Sequence, residues 1–127
     1  PDPERRQYRE QLRDIAELVR DPMLLLDSQL RLQFANAAFV RMFGPLADLS
    51  QQPPLRELGG GRWLSPRLAA LLTELLARAS RHTNYDDEHD YPGLGRKRLR
   101  IDASRVDGSD PDNLLIAVTF REVAQLS

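Results

Sequence analysis

The 127-residue chain contains no cysteine. That absence excludes a disulfide framework, a zinc ribbon, an iron–sulfur cluster, a thiol nucleophile and any thiol-linked chromophore. It also fits a reducing compartment, so a cytoplasmic location is the expectation. Histidine is scarce, with two residues, and there is one tryptophan. No run approaches the roughly 20 apolar residues that span a bilayer, and no signal-peptide pattern opens the chain, so membrane insertion is not expected of it. An excess of one charge is lacking too: 18 basic and 19 acidic residues leave a formal charge of -1. That balance gives no basis for a nucleic-acid partner or an anionic membrane surface. What is present is a 41% hydrophobic share over 127 residues, which suits one core in one domain. The chain opens on Pro1 rather than methionine, as expected of a piece of a larger protein.

Residues 4–20 read as a helix, with Tyr8, Leu12, Ile15, Ala16 and Val19 recurring at helical spacing among charged neighbours. Asp2 before Pro3 is its start signal, and Asp21-Pro22 ends it, because a residue before proline avoids helical angles. The apolar stripe is narrow. It suits either a helix on the domain's flank or a dimer seam carried by Tyr8, Leu12, Ile15 and Val19. Met23–Asp27 is a short apolar run, followed by a turn at Ser28-Gln29. Leu30, Leu32 and Phe34 then alternate with Arg31 and Gln33, which predicts a hairpin with one buried face. Asn36 is a helix N-cap ahead of Phe39, Val40 and Phe43, and Gly44-Pro45 closes that helix.

Residues 45–62 are rich in turn formers, with one helical turn expected over Leu55–Leu58. Ser65-Pro66 opens the clearest helix, serine as cap and proline in the first turn. Its stripe is Leu68, Leu71, Leu72, Leu75 and Leu76, running to about Ser80. Strand periodicity follows in His82–Tyr91 and Arg98–Val106, a turn cluster spans Gly108–Asn113, and Leu114–Phe120 is apolar enough for a central strand. The order predicts an α+β fold, an antiparallel sheet with helices on one face. Leu32, Phe34, Leu99, Ile101, Ile116 and Val118 are expected on the buried face, each stabilising by roughly 1.5–3 kcal/mol.

At this point two stretches resemble the PAS family. Asp21-Pro22-Met23-Leu24-Leu25-Leu26-Asp27, followed by Leu32-Gln33-Phe34-Ala35-Asn36-Ala37-Ala38-Phe39, is similar to the family's first hairpin and its asparagine-started helix. Glu57-Leu58-Gly59-Gly60-Gly61-Arg62-Trp63 and Glu88-His89-Asp90-Tyr91-Pro92-Gly93-Leu94-Gly95-Arg96-Lys97 resemble the subgroup in bacterial sensor histidine kinases, some fused to chemotaxis-type methyltransferase and methylesterase domains. The resemblance implies a five-stranded antiparallel sheet with short helices and one longer helix on one face, plus an N-terminal flanking helix. It implies a flanking helix over 1–20, a sensor domain over 21–123 and the start of a linker over 124–127. It further implies a ligand cavity between sheet and helices, and control of a covalently linked output domain, a histidine kinase, through terminal helices. Where many family members close on an Asp-Ile-Thr type signature, this chain reads Arg121-Glu122-Val123.

Facing apolar positions make Phe39, Phe43, Leu58, Trp63, Leu68, Leu72, Leu99, Ile101, Ile116 and Val118 the candidate pocket lining, with His89 as a ligand contact or a structural hydrogen bonder. Trp63 is read as packing over the core near the long helix, or as a pocket lid. Haem is not expected, since His82 falls after the long helix rather than on it. Cysteine-dependent flavin photochemistry has no residue to use, and a noncovalent flavin stays open. No metal site is expected: alternation splits the acidic run into Asp86, Glu88 and Asp90 on one face and Asp87 with His89 on the other. Pairing of the first set with the Arg96–Arg100 segment explains it. Gly59-Gly60-Gly61 lacks the lysine and hydroxyl residue of a phosphate loop and is read as a hinge beside the cavity. No serine lies in a nucleophile-elbow context, so enzymatic activity is not expected. Two readings follow, a homodimeric sensor relaying ligand or partner binding and a ligand-free dimerisation module; a small α+β enzyme is a third.

Overall fold

The alternation in the last third of the chain becomes a long hairpin. In this computed structural model, which describes residues 3–44, 51–77, 81–106 and 114–123, β3 (His82–Tyr91) and β4 (Gly95–Val106) pair antiparallel from His82↔Ser104 to Tyr91↔Gly95. β4 starts three residues before the expected Arg98 because Pro92-Gly93-Leu94 turns tightly, with the Leu94 amide donating to the Tyr91 carbonyl at 3.1 Å. Gly93 and Gly95 take φ of 76° and 88° there, angles that suit glycine. The Asp2 start signal, Pro45, the helix end at 78–80, the Gly108–Asn113 turn and the 124–127 linker lie outside the described residues, as do the side chains of Tyr8 and Leu12.

The remaining elements are α1 (Pro3–Leu18), β1 (Met23–Leu26), β2 (Leu32–Ala35), α2 (Ala37–Phe43), a 3-10 segment (Leu55–Gly61) at the expected helical turn, α3 (Pro66–Leu76) and β5 (Leu115–Glu122). All five strands form one antiparallel sheet in the order β2-β1-β5-β4-β3. Sequence alternation sets which face is buried. Leu24 and Val118 pair in register, as do Val118 and Ala103, and Phe120, Ile101 and Tyr85 form the next row. These side chains meet Leu68, Leu72 and Leu75 of α3 and Phe39 and Phe43 of α2 in one buried cluster. Among the described residues no helix is long and apolar enough to cross a membrane.

Two expectations need correction here. Phe34 does not share the face of Leu32. The β1–β2 register shifts between Leu25 and Leu26, so Leu26 pairs with Leu32 while Leu25 pairs with Phe34, leaving Gln33 as the extra residue. One extra residue reverses the alternation. Phe34 therefore lies with Leu25 on the outer face, where the Arg13 guanidinium of α1 stands 5.9 Å from its ring centre. The flanking helix is also shorter than the expected 4–20. It ends at Leu18, and Val19 lies beyond it in a turn closed by its amide on the Ala16 carbonyl at 3.2 Å.

Candidate functional site

The space between sheet and helices is filled with rings. Phe39, Phe43, Trp63, Tyr91 and Phe120 pack with centroid separations from 4.6 to 5.9 Å, mostly tilted or edge-on as ring quadrupoles favour. Trp63 is fully buried at its centre and is no lid, correcting that reading. The glycine triplet places it. Gly59, Gly60 and Gly61 take φ of 59°, 67° and 84°, and the Trp63 amide then donates to the Leu58 carbonyl at 3.3 Å. A Cβ on Gly59 would stand 2.8 Å from Pro92 Cγ, so this left-handed turn is seated directly on the β3–β4 turn.

A polar seam crosses the same cluster. Ser65 caps α3, accepting from the Leu68 amide at 3.2 Å, and its hydroxyl donates to Asp87 Oδ2 at 2.5 Å. Asp87 is only 8% exposed. The positive end of α3 and the serine hydroxyl offset the cost of burying its charge. Tyr85 and Tyr91 flank Asp87 on the inner face of β3, and burial pushes both phenols above their ordinary range, with the Asp87 carboxylate raising them further. Arg67 lies 4.8 Å over the Tyr85 ring. The Tyr85 and Tyr91 hydroxyls and Trp63 Nε1 are buried and have no hydrogen-bond partner among the described residues.

Ten of the eleven expected lining residues, Phe39, Phe43, Leu58, Trp63, Leu68, Leu72, Leu99, Ile101, Ile116 and Val118, meet in this one core cluster. The eleventh, His89, is half-buried beside it. Its Nε2 donates to the Arg62 carbonyl at 2.8 Å, and its ring stands edge-on to Tyr91 at 4.8 Å. Sequence reasoning missed Tyr85, Tyr91, Phe120 and the Ser65–Asp87 pair as parts of the site. The signal for three of them was the period of two through Tyr85, Asp87, His89 and Tyr91.

Asn36 was read as a cap and is also a junction. Its Oδ1 accepts from the Phe39 and Met23 amides at 3.0 and 2.9 Å. Its Nδ2 donates to the carbonyls of Ala16, Val19 and Asp21 at 3.1, 3.3 and 3.0 Å. One buried side chain thereby ties the end of α1, the start of β1 and the start of α2. Of the expected seam, Ile15 is 57% exposed and Val19 is half-buried, while Leu18, not among the expected residues, is 82% exposed.

The outer face of the β3–β4 hairpin carries charges instead. Arg100 pairs with its register partner Asp86 at 2.9 Å, and Arg96 reaches diagonally to Glu88 at 3.2 Å. His82 joins Asp102 at 2.5 Å on that exposed face.

Comparison with known proteins agrees with this architecture. A protein-family model described as "PAS domain" matches residues 10–84, more than half of the chain. The chain belongs to the PAS domain family. Solved structures similar to this PAS domain include the PAS domain of BvgS from Bordetella pertussis, at 18% identity and a TM-score of 0.71 over 94% of this chain and 88% of that one. A LOV protein from Rhodobacter sphaeroides is similar at 18% identity and a TM-score of 0.68, over 99% of this chain and 71% of the other. The PAS domain of nitrogen regulation protein NR(II) from Vibrio parahaemolyticus is similar at 20% identity and a TM-score of 0.62, over 88% and 97%. At these identities the likeness is one of fold. No curated protein matches the sequence. Membership makes this PAS domain a signalling module, and with no cysteine in the chain it has no thiol for a flavin adduct.

Proposed function

We propose that this PAS domain senses a small molecule or partner and relays its binding to an output domain, a histidine kinase, on the same chain. The observation that carries the reading is the Asn36 junction. Phe39 and Phe43 line the aromatic cluster from α2, and α2 begins at the residue whose side chain holds the end of α1. A ligand that moves those rings shifts α2 and changes the grip on α1, which biases a pre-existing equilibrium between two poses of the flanking helix. Asn36→Ala removes the grip. Hydrogen exchange is expected to speed up in the last turn of α1 while β3, β4 and β5 stay protected. Unchanged exchange in α1 would sink the relay.

Exposed Ile15 and Leu18, one helical turn apart on α1, favour a second reading in which pairing of two copies is the whole function. Sedimentation tests it. Ile15→Glu with Leu18→Glu is expected to turn a dimer into a monomer, and an unaltered sedimentation coefficient would remove α1 as the seam.

A further inference from the structure

The core of this domain holds three buried donors that have no acceptor among the described residues: Trp63 Nε1, Tyr85 OH and Tyr91 OH. Buried polar atoms are nearly always paired, so each exception calls for a cause. Trp63 and Tyr91 are neighbours, and Tyr85 shares the inner face of β3 with Tyr91. The Trp63 and Tyr91 rings lie 5.9 Å apart, and the two tyrosines bracket Asp87 on one face of β3. The walls are aromatic, the Arg67 cation stands over the far ring, Tyr85, at 4.8 Å, and the charged group between the tyrosines is a carboxylate already engaged on one oxygen by Ser65.

That combination selects a ligand by its hydrogen-bonding pattern. An oxygen acceptor is needed for the indole N–H and the phenol hydroxyls. A carboxylate or phosphate would bring a second negative charge against buried Asp87, which low-dielectric surroundings penalise. An ammonium or amidinium suits Asp87 but leaves Trp63, a pure donor, unmet. A carboxamide satisfies both, since its carbonyl accepts and its N–H donates to a carboxylate. A flat ring attached to it would stack within the existing cluster.

Resting on the sensor reading above, we propose that the Trp63–Tyr91–Asp87 seam binds the uncharged carboxamide of a small aromatic amide. Its oxygen takes the Trp63 and Tyr91 donors and its N–H faces Asp87. Phe43 packs on both Trp63 and Tyr91, at 5.4 and 5.3 Å, so a group lodged between those two must move Phe43 and with it α2. Occupancy is thereby coupled to the Asn36 junction.

The test uses three isosteres: neutral benzamide, anionic benzoate and cationic benzamidine. Trp63 is the single tryptophan, so its emission reports the seam alone. Benzamide is expected to change that emission saturably and to raise the melting temperature by mass action. The two charged probes are expected to need at least about tenfold higher concentration, one hydrogen bond's worth of affinity. Tyr91→Phe deletes only a hydroxyl that has no partner among the described residues, so it keeps the fold, and it is expected to weaken benzamide by about tenfold. Equal responses to all three probes, no response to benzamide, or benzamide binding indifferent to Tyr91→Phe would each overturn the amide assignment. A thermal-shift panel of flavins, nucleotides and organic acids separates the two levels. A hit there without benzamide binding leaves the sensor and removes the amide, whereas silence throughout removes both.

Discussion

Asp86 and Asp87 are adjacent on β3, and alternation sends them to opposite faces of the same sheet. Asp86 stands on the outer face, where the Arg100 guanidinium at 2.9 Å holds its carboxyl below the usual carboxylate range and Arg98 adds a weaker contact at 3.8 Å. Asp87 is buried on the inner face, with the Ser65 hydroxyl as its partner. The outer carboxylate has water and more than one arginine to replace any partner lost. The inner one is committed to a single geometry beneath α3. Residue type is the same in both places, so the difference in consequence comes from the face alone.

Substitution tests that difference most strongly. Asp87→Ala removes the acceptor of the Ser65 hydroxyl and breaks a charge-assisted hydrogen bond in a buried setting, a loss of about 1.5–3 kcal/mol. Urea denaturation is expected to show it as a lower midpoint with the same slope. Asp86→Ala, made in parallel, is expected to leave the midpoint nearly unchanged, since exposed ion pairs contribute little. Equal losses for the two variants would mean that the charged outer face is itself a covered or cooperative surface, and the contrast between the faces would fall.

Much of this contrast is legible in the sequence. A period of two separates Asp86, Glu88 and Asp90 from Asp87 and His89, and the same rule pairs the acidic row with Arg96 and Arg100. Asn36 and Ser65 announce helix starts by residue type, and both cap as expected. What stayed hidden depends on contacts far apart in sequence. The Ser65 hydroxyl meets a carboxylate 22 residues away, and the Asn36 amide reaches Ala16 across 20 residues. Neither partner carries a local signature. Phe34 was misplaced for a different reason, because a bulge at Gln33 reverses alternation without any glycine or proline to mark it. Trp63 is expected to pack over the core near the long helix or to act as a lid; three left-handed glycines direct it to the centre of the core.

The inner face also has a titration of its own. Tyr85 and Tyr91 are kept neutral in the fold by burial first and by the Asp87 carboxylate second, so both lose their protons well above the ordinary value of 10.0. In the unfolded chain they ionise near that ordinary value. Above about pH 10 the unfolded state therefore binds fewer protons than the folded one, and stability falls as pH rises. Below it the contribution is fully present and flat. The expected slope is about 1.4 kcal/mol per pH unit for each phenol that must ionise. Arginine stays protonated throughout this window. Urea midpoints measured from about pH 8 upward are expected to hold level and then drop beyond about pH 10. Tyr85→Phe combined with Tyr91→Phe is expected to flatten most of that drop, and Asp87→Ala to move its effect toward the ordinary tyrosine range. If the double variant falls as steeply as the parent, the phenols are not desolvated and the buried seam is wetter than its geometry implies. The outer hairpin face, whose ion pairs involve arginine, carboxylates and histidine, supplies no comparable alkaline transition, so the position of the drop distinguishes the two faces without any further mutation.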